Sequence, residues 1–389
     1  MRQAGTWQEL GVRGGPLVAA DRRVTLANWQ DPPFNRWGFQ NVRALLPTAV
    51  IRRGEEVLDL PARPRNLDDL PVGDDTMAGL LSSRPIDGVV VVSGGAMVYE
   101  RYLNGMTPSS LHLSMSMAKS VTAFTVGTLV DEGLLDPRTP IVELVPWLAG
   151  SGYDEASLQH VLDMTVALDF DETYTTGDEF LRFDASLGFR PWVWPGPALD
   201  CLGSIPGIGR DPRPHGERFH YCSPNTEVLG WAIELATGRS FAEAVSERIW
   251  GPMGAEADSE IALDRGGTAA ADGGLCATVR DYARFGLLAA RGGAAGGRQV
   301  VPAAWVAGTW EAGDREAMRR SGEAVATSYH NQWWRYDELM CAVGIHGQQI
   351  CVDRDEDLVV AWCASAPDAI DDELAAAQRA ATRAVRAEL

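Results

Sequence analysis

The sequence predicts an α+β fold, in which one antiparallel sheet is flanked by helices and interrupted by a mostly helical lobe. Three observations predict it: a hairpin near residue 95, a helix-rich middle, and a group of short strand-like runs near the end. Strands on both sides of a helical segment are most simply joined in one sheet. We therefore expect a single domain over residues 1–389, with residues 1–134 and 325–389 as the sheet lobe and 135–324 as the helical lobe.

The first elements follow from local patterns. Residues 1–85 are rich in Pro, Arg and Asp, and Asn28–Pro33 is interpreted as an ordered lead-in. The valine-rich run 88–93 and the run 97–102 flank Gly94 and Gly95, which is a strong hairpin signal. A helix is predicted from Ser116 to Glu132, with Gly133 as its stop.

The later elements are predicted in the same way. A helix is expected over Asn225–Thr237, with Ser223 as its N-cap and Pro224 at its first position. A helix rich in Ala, Glu and Arg is expected to close the chain over Asp371–Leu389. Four short apolar or alternating runs near the end are expected to be strands: Gln332–Tyr336, Met340–Ile345, Gln349–Asp353 and Leu358–Trp362.

Composition excludes several classes of protein. The net charge of −19 would repel nucleic acid. No apolar run is long enough to span a membrane. The polar stretch Met1–Leu10 does not resemble a signal peptide, and the six cysteines lack the C-x-x-C spacing of metal sites. We therefore expect a cytoplasmic protein with reduced thiols. The histidines form no H-E-x-x-H set, so neither a metal nor another cofactor is expected.

Lys119 is the most informative single residue. The chain has 34 basic residues, and Lys119 is the only lysine among them. A GC-rich genome that replaces lysine by arginine would explain the bias. Arginine cannot release its proton near neutral pH, whereas a buried lysine can. A lone lysine is therefore expected where the chemistry requires an amine that can lose its proton.

Ser116 and Lys119 form an S-x-x-K motif at the predicted start of a helix. At a spacing of three residues the two side chains lie on one face of the helix. An unaided serine hydroxyl is a poor nucleophile, and an adjacent unprotonated lysine can accept its proton. The helix N-terminus favours a developing oxyanion. The alternative, a capping serine beside a surface lysine, is the weaker interpretation because this is the only lysine.

The sequence resembles the S-x-x-K serine hydrolases, which include class C β-lactamases, D-alanyl-D-alanine carboxypeptidases and related esterases. It is most similar to the nylon-oligomer (6-aminohexanoate-dimer) hydrolase branch. The similarity covers nearly the whole chain and is carried by specific strings: the S-x-x-K, Asn28–Pro33 with Asn35–Trp37, Tyr221–Thr226, Gln332–Trp334 and Gly344–Gln348. The resemblance implies a β-lactamase-like fold and an acyl-enzyme mechanism.

The resemblance also implies the roles of further residues. Tyr221, in a Tyr-x-Ser version of the family's Tyr-x-Asn motif, would relay a proton between Ser116 and the leaving group. The main-chain N–H groups of Ser116 and Ile345 would form the oxyanion hole. The family's Lys-Thr-Gly is replaced by Ala342-Val343-Gly344. The groups that hold a β-lactam or peptide carboxylate are therefore missing, which disfavours penicillin and D-Ala-D-Ala substrates.

Five residues are expected near the substrate. The resemblance implies that Tyr174 contacts the scissile amide from a mobile loop, and that Asp184 lies near the amine of the substrate. Trp334 would form a wall of the pocket, beside Gly344. His346 is either a binding residue or a packing residue, because a strand would turn it away from Ile345.

We therefore expect a serine hydrolase that acts on small linear amides, on short-chain esters, or on both. A carboxylesterase, a DD-peptidase or β-lactamase-like enzyme, and a non-catalytic binding or sensor protein on the same fold remain alternatives. The expected partner is a small amide or ester substrate, and the resemblance suggests a homodimer. The absence of G-x-S-x-G disfavours an α/β-hydrolase.

Overall fold

A computed structural model describes residues 5–311, 313–323 and 326–389. Two predictions fall partly on the remaining residues. The polar stretch Met1–Leu10 is described only from Gly5, and the predicted lobe boundary at residues 324 and 325 lies outside the described residues. Within the described ranges, no helix combines the length and the apolar character needed to cross a bilayer.

The main sheet has seven strands in the order β13-β14-β15-β16-β17-β4-β5, and every neighbouring pair is antiparallel. It joins the first hairpin to the strands near the end of the chain, which confirms the predicted sheet. The strands in the described residues are β1 (Thr48–Ile51), β2 (Pro71–Val72), β3 (Asp75–Thr76), β4 (Ile86–Ser93), β5 (Ala96–Tyr102), β6 (His112–Leu113), β7 (Leu168–Asp169), β8 (Gly209–Arg210), β9 (Ser259–Ala262), β10 (Leu275–Ala277), β11 (Ala294–Ala295), β12 (Arg298–Gln299), β13 (Ser328–His330), β14 (Trp333–Tyr336), β15 (Leu339–Gly344), β16 (Gln348–Asp353) and β17 (Leu358–Ala364).

Helices cover both faces of this sheet and fill the middle of the chain. The α-helices in the described residues are α1 (Trp7–Leu10), α2 (Asn35–Gly38), α3 (Met77–Ser83), α4 (Ala118–Asp131), α5 (Ile141–Leu144), α6 (Leu158–Leu162), α7 (Asp178–Ser186), α8 (Cys201–Ser204), α9 (Pro224–Thr237), α10 (Phe241–Val245), α11 (Val279–Ala290), α12 (Ala303–Glu311), α13 (Arg315–Ser321) and α14 (Asp372–Glu388). A π-helical turn, Ser246–Trp250, follows α10. The helix-rich middle and the closing helix agree with the prediction.

The hairpin forms as the sequence predicts. Gly94 and Gly95 have φ values of 54° and 74°, which glycine adopts without steric cost. Two positive φ values in succession match the twist that a two-residue hairpin turn requires. Strand β4 is apolar without interruption because both of its faces are covered. Val90 and Val92 join the core that contains α11, whereas Val89 and Val91 pack with α14.

A second sheet of four strands, in the order β1-β9-β10-β6, is absent from the prediction. Its strands are two to four residues long, too short to show a periodic pattern. Pairing across long sequence separations fixes them, as in the contact of His112 and Leu113 with β10. This sheet positions the site, because β6 leads directly into the turn that carries Ser116.

The segment Asn28–Pro33 is ordered, as expected, and this part of the chain makes hydrogen bonds to distant parts of the molecule. The indole of Trp29 is buried and donates a 2.6 Å hydrogen bond to the carbonyl of Phe189. A few residues on, the side-chain amide of Asn35 donates to the carbonyls of Ser365 and Ala366 at 3.2 and 3.0 Å. The N-terminal segment thus contacts both the helical middle and the last loop before α14.

Candidate active site

Ser116 lies where the four-stranded sheet meets α4. Strand β6 ends at Leu113, Met115 has a φ of 46°, and Ser116 occupies the 3₁₀ turn Met115–Met117. Helix α4 begins at Ala118, so the predicted helix start at Ser116 is two residues early. The tighter turn still leaves the side chains of Ser116 and Lys119 within hydrogen-bond distance.

The amine of Lys119 is enclosed by oxygen atoms. Its side chain is 1 % exposed, and Nζ lies 3.0 Å from Ser116 Oγ, 3.0 Å from Ser223 Oγ and 3.0 Å from the carbonyl oxygen of Asp272. Asp272 Oδ2 lies 3.4 Å away. The structure therefore brings the two members of the S-x-x-K motif into direct contact.

Tyr221 lies beside this pair. Its ring centre is 5.3 Å from Lys119 Nζ, and Ser116 is among the neighbours that lower the pKa of its hydroxyl. Burial raises the pKa of Tyr221 and the charge of Lys119 lowers it, and the balance lies above the usual value. Tyr221 stacks on Trp334 at a centroid distance of 5.6 Å. The structure thus places Ser116, Lys119, Tyr221 and Trp334 together.

Ser223 corrects a prediction. It occupies the N-cap position of α9, but its hydroxyl makes no capping hydrogen bond. Instead it accepts from Lys119 and donates to Glu172 Oε1 at 2.5 Å, while its main-chain N–H donates to Glu172 Oε2 at 2.5 Å. An N-cap serine needs an extended backbone, and Ser223 has a helical one (φ −58°, ψ −36°), which turns its hydroxyl toward Lys119. A continuous path of hydrogen bonds therefore runs from Ser116 through Lys119 and Ser223 to Glu172.

The acidic groups around Lys119 control its charge. Burial alone lowers the pKa of Lys119, but Tyr221, Asp272, Glu172 and Glu227 together raise it above the usual value, so the resting amine is protonated. Burial raises the pKa of Glu172 to about 7, although Lys119 and Ser223 lower it. Burial and Asp272 raise the pKa of Glu227 well above its usual value.

The end of β15 lies against the turn that carries Ser116. A Cβ added to Gly344 would lie 2.9 Å from the main-chain N of Ser116, and closer still to the carbonyl oxygen of Ser114. Gly344 has a φ of −127°, so glycine is needed for space and not for backbone conformation. Ile345 follows directly and lines the same cleft as Ser116. The structure thus brings together the two residues proposed to supply the oxyanion hole.

His346 is not a lining residue of the cleft. Strand β15 ends at Gly344, one residue before the predicted end, and His346 lies in the 3₁₀ turn Ile345–Gly347 with a φ of 61°. Its ring Nδ1 donates to the carbonyl of Ala366 at 2.8 Å, and its main-chain N–H donates to Ala369 at 2.8 Å. Burial lowers its pKa, so it is neutral. Of the two interpretations, the packing one fits: His346 anchors the last loop.

Tyr174 lines the cleft but is turned to Glu172. Its hydroxyl donates to Glu172 Oε1 at 3.1 Å, and its ring packs edge-on against Phe180 at 4.7 Å. Burial and the adjacent Glu172 raise the pKa of Tyr174 well above its usual value, so it is a neutral hydrogen-bond donor. Contact with a scissile amide, as the resemblance implies, would require the hydroxyl to leave Glu172.

Asp184 does not line the cleft, and its charge already has a partner. The carboxylate is 3 % exposed, accepts a hydrogen bond from Arg190 Nε and lies 3.4 Å from the amide nitrogen of Gln30. It borders a separate cavity of about 30 Å³ behind Ser116, which has room for about one water molecule. Contact between Asp184 and the amine of a substrate would require Arg190 to leave the carboxylate, and it stays a prediction.

The cleft above Ser116 has a volume of about 560 Å³, which is typical of sites for small molecules. The lining includes Ser116, Tyr174, Tyr221, Trp334, Gly344 and Ile345, and it also includes Tyr336, Gln349, Gln378, Arg379 and the acidic residues Glu323, Asp371 and Asp372. Among the residues that the structure describes, no group of three His, Cys, Asp or Glu side chains is arranged to hold a metal ion.

Sequence reasoning missed Glu172, the bridging role of Ser223, and Asp272. Glu172 had a usable signal, because it lies two residues before Tyr174, and residues at that spacing in an extended segment point to the same side. Asp272 and Ser223 had no such signal in the sequence. They meet Lys119 only after folding, from positions more than a hundred residues away along the chain.

The sheet flanked by helices and the enclosed Ser–Lys pair define a hydrolase of the β-lactamase-like class. Residues 74–384 match the beta-lactamase family, and the chain belongs to that family. It is an enzyme that hydrolyses amide or ester bonds. It is 38 % identical over 360 residues to a 6-aminohexanoate-dimer hydrolase of Paenarthrobacter ureafaciens, an alignment that covers 90 % of each chain.

Comparison of structures supports the same placement. A Bacillus anthracis protein assigned as a 6-aminohexanoate-dimer hydrolase superposes with a TM-score of 0.85 and 26 % identity, covering 96 % of this chain and 99 % of that one. A family VIII carboxylesterase superposes with a TM-score of 0.58 and 15 % identity, covering 78 % of this chain and 93 % of that one. The second similarity shows the shared fold alone.

Proposed function

We propose that this protein hydrolyses small linear amides of the 6-aminohexanoate-dimer type through an acyl-enzyme formed on Ser116. The 3.0 Å contact between Ser116 Oγ and Lys119 Nζ, at the base of a cleft of about 560 Å³, carries the proposal. The relative that is 38 % identical over 90 % of the chain supports the substrate class.

In the proposed reaction, Ser116 Oγ attacks the amide carbonyl and its proton passes to Lys119. The tetrahedral intermediate collapses, the C–N bond breaks, and Tyr221 gives its proton to the leaving amine while it takes the proton that Lys119 received from Ser116. Water then attacks the acyl-enzyme and gives a proton to Lys119, the ester bond to Ser116 breaks, and that proton returns to Ser116 as the acid is released. Every step is a proton transfer or an acyl transfer among groups that lie within one cluster.

Lys119 must lose its resting proton before it can accept one from Ser116. We propose that this proton moves through the hydroxyl of Ser223 to Glu172, along contacts of 3.0 and 2.5 Å. A neutral amine and a neutral carboxyl replace a buried ammonium and a buried carboxylate. The transfer is uphill, because the pKa of Lys119 lies above that of Glu172, and burial lowers its cost because desolvation penalises charged groups. Glu172 is thus a positioning residue that acts through Lys119.

The main-chain N–H groups of Ser116 and Ile345 are proposed to bind the oxyanion. The close approach of Gly344 to the main-chain N of Ser116 supports this role. Preorganised donors at a developing negative charge contribute a large share of the rate in acyl transfer. Tyr174 is proposed to donate to the scissile amide nitrogen after its hydroxyl leaves Glu172, and Trp334 to pack against the chain of the substrate.

We propose that the whole chain forms one catalytic domain, because the N-terminal segment contacts both the helical middle and the last loop. We further propose that the enzyme works in the cytoplasm, where its six cysteines stay reduced. All six are buried and free. A homodimer rests on the resemblance alone and is tested by light scattering of the purified protein.

A panel of four substrates tests the proposal: a linear 6-aminohexanoate dimer, a short-chain nitrophenyl ester, a D-Ala-D-Ala peptide and a chromogenic β-lactam. Ser116→Ala serves as the blank and should fold normally without turnover. We expect Ser116-dependent cleavage of the linear dimer. Cleavage of the ester alone would contradict the substrate class and favour a carboxylesterase. No Ser116-dependent turnover of any of the four would favour a binding protein instead.

A further inference from the structure

Arg379 lies at the end of the cleft far from Ser116. It belongs to α14, lines the cleft and is 7 % exposed. Its guanidinium lies over the ring of Tyr336, with Cζ 4.2 Å from the ring centre. Within residues 5–311, 313–323 and 326–389, it has no hydrogen-bond or ion-pair partner. Arg379 is also the only arginine or lysine among the described lining residues.

Other buried arginines do have partners. Arg36 donates to the side chain of Asn104 at 3.0 Å, and Arg284 pairs with Asp281 at 3.0 Å. The nitrogen atoms of Arg379 are absent from the fully buried unpaired atoms, so they keep contact with the solvent of the cleft although most of the residue is enclosed. A ring face replaces only part of the hydration that a guanidinium loses when it is enclosed. An arginine held in this way at the wall of a cleft is suited to bind an anion that enters from solution.

Gln349 supplies a second unpaired donor in the same lining. Its side chain is 1 % exposed, and its Nε2 is buried without a hydrogen-bond partner. Its oxygen is already used, because it accepts from the thiol of Cys351 at 3.0 Å. Buried polar atoms are nearly always paired in native proteins. A buried guanidinium and a buried amide N–H that line the same cleft are the donors that a carboxylate requires.

A row of rings connects this end of the cleft to Ser116. Tyr221 stacks on Trp334 at 5.6 Å, and Trp334 stacks on Tyr336 at 6.4 Å, with both pairs of ring planes inclined by 22°. The guanidinium of Arg379 lies over the ring of Tyr336, which is the last ring of the row. Flat rings in this arrangement form a wall against which a chain of methylene groups can pack.

We propose that Arg379 and Gln349 bind the terminal carboxylate of the substrate, and that the row Tyr221–Trp334–Tyr336 holds the methylene chain between this carboxylate and the scissile bond. This proposal rests on the proposed function and deepens it, because it assigns the preferred substrate class as linear amides that carry one free carboxylate. Arg379 is then a specificity-determining residue, and the fork of its guanidinium suits a carboxylate.

The test compares two substrates that differ only in this charge: the linear 6-aminohexanoate dimer and its C-terminal primary amide. A charge-assisted hydrogen bond corresponds to a preference of at least about tenfold in kcat/KM. We expect the wild-type enzyme to show that preference for the acid. Arg379→Gln should abolish it, and Arg379→Lys, which keeps the charge without the fork, should retain part of it.

Arg383→Gln is the matched control. Arg383 lies one turn further along α14 and is bound by Glu338, so the variant removes the same charge from the same helix outside the cleft. It should behave as the wild type does. A neutral short-chain nitrophenyl ester, which carries no carboxylate, reports whether each variant is folded and active; Arg383→Gln should hydrolyse it as the wild type does, and the Arg379 variants should still turn it over. An equal preference in wild type and Arg379→Gln, or no preference in wild type, would overturn the proposal.

A wild-type enzyme that cleaves the ester but neither form of the dimer would contradict the proposed function and leave the anion site testable. Hydrolysis of the ester is then inhibited with 6-acetamidohexanoate or with its neutral amide. Stronger inhibition by the acid, lost in Arg379→Gln but kept in Arg383→Gln, would support the carboxylate site. Equal inhibition by the acid and the amide would overturn it.

Discussion

Two buried cations lie at opposite ends of the row of rings, and they are held in opposite ways. Lys119 is surrounded by four oxygen atoms within 3.4 Å of its Nζ. Arg379 contacts one ring face and has no hydrogen-bond partner in the described part of the chain. The first cation has all its partners inside the protein, whereas the second lacks them.

The difference separates proton chemistry from recognition. Lys119 contacts groups that can exchange protons with it, and its neighbours fix both its position and its charge. Arg379 cannot release a proton, so its unpaired donors can serve only to bind. One end of the cleft is thus preorganised before the substrate arrives, and the other is completed by the substrate. Substitutions at each end should therefore change different kinetic parameters.

Among substitutions that separate the two ends of the cleft, Lys119→Arg should lower activity the most. It replaces Lys119, at the Ser116 end of the cleft, by an arginine like Arg379 at the other end. The charge stays, but the group can no longer accept the proton of Ser116. Loss of a general base costs about 10²–10⁴ in rate, and we expect kcat/KM for a nitrophenyl ester to fall by about 10³ or more. Circular dichroism and thermal unfolding should show a folded protein.

Arginine is larger than lysine, so Lys119→Met serves as a second variant that fits the enclosed space without an amine. It should be equally inactive, and it should be less stable because the oxygen partners of the amine are left unpaired. A rate for Lys119→Arg within tenfold of wild type would contradict the role of Lys119 as proton acceptor. It would leave Lys119 as an electrostatic partner of Tyr221.

Gly344→Ala is expected to lower kcat by about 10²-fold, because the added methyl group would push Ile345 away from Ser116. The loss of one oxyanion donor has this magnitude in other serine hydrolases. KM should change much less, since the far end of the cleft is untouched. The measurement is steady-state hydrolysis of the neutral ester.

Gly308→Ala is the matched control for this prediction. Gly308 lies in α12, and a Cβ there would meet no atom within 4 Å. The added methyl group should leave activity unchanged and should stabilise the helix slightly. An active Gly344→Ala enzyme with normal kcat would contradict the proposed oxyanion hole.

Glu172→Gln tests whether Glu172 accepts the proton of Lys119 and so controls the charge of the amine. With the pKa of Glu172 raised to about 7, the wild-type rate should fall as the pH drops below 7, because a protonated Glu172 cannot accept the proton of Lys119. The variant should lack this decrease in rate at low pH and should lose about tenfold in kcat at pH 8.

Several other titratable groups lie close enough to Glu172 to interact with its charge. They are Lys119, Asp272, Tyr153, Tyr174, Tyr221, Cys222 and Tyr329.

The protonation of Lys119 can be followed directly, because it is the only lysine in the chain. A protein labelled with ¹³C-lysine has one Cε resonance, and its chemical shift reports the charge of Lys119. Glu172 raises the pKa of Lys119, so Glu172→Gln should lower that pKa. Identical titrations of Lys119 in wild type and variant would show that Glu172 does not act through Lys119.

The sequence predicts the lysine end of the cleft far better than the arginine end. Ser116 and Lys119 are three residues apart, so a local motif contains both. The hairpin, α9 and the last four strands are likewise visible as local patterns. Arg379 is one arginine among many, and its proposed binding role depends on the residues that surround it after folding. Pairings such as Ser223 with Glu172 bring together loops that are 51 residues apart, which no spacing rule reveals.

The partners of Asp184 and His346 are hidden from the sequence for the same reason. Asp184 is a polar residue in the expected region, but its partner Arg190 could not be chosen among the many arginines. The sequence predicts that β15 extends to Ile345, but the left-handed backbone of His346 follows an earlier end of the strand, and its ring contacts Ala366, which fits the packing interpretation. In both cases the residue type indicates a functional or buried position, but the sequence does not indicate which residue it contacts after folding.

Asp184→Asn is expected to have the smallest effect on activity. Asp184 is a third buried charge near the site, and it differs from Arg379 because Arg190 satisfies it. Removing its charge should lower the free energy of unfolding by about 1–2 kcal/mol, less than for a fully buried pair because the side chain of Arg190 is 32 % exposed. Urea unfolding measures the loss, and kcat/KM for the linear dimer should stay within twofold of wild type.

Arg190→Gln provides the control, because it removes the other half of the same pair. If the pair is structural, both variants should lose similar stability and keep the same substrate preference. The alternative is that Asp184 binds the amine of the substrate. In that case Asp184→Asn should raise KM for the aminated dimer but not for its N-acetyl derivative, and Arg190→Gln should lower it by freeing the carboxylate. Opposite changes in KM would therefore support the role predicted from the sequence and would place a third charged group at the substrate.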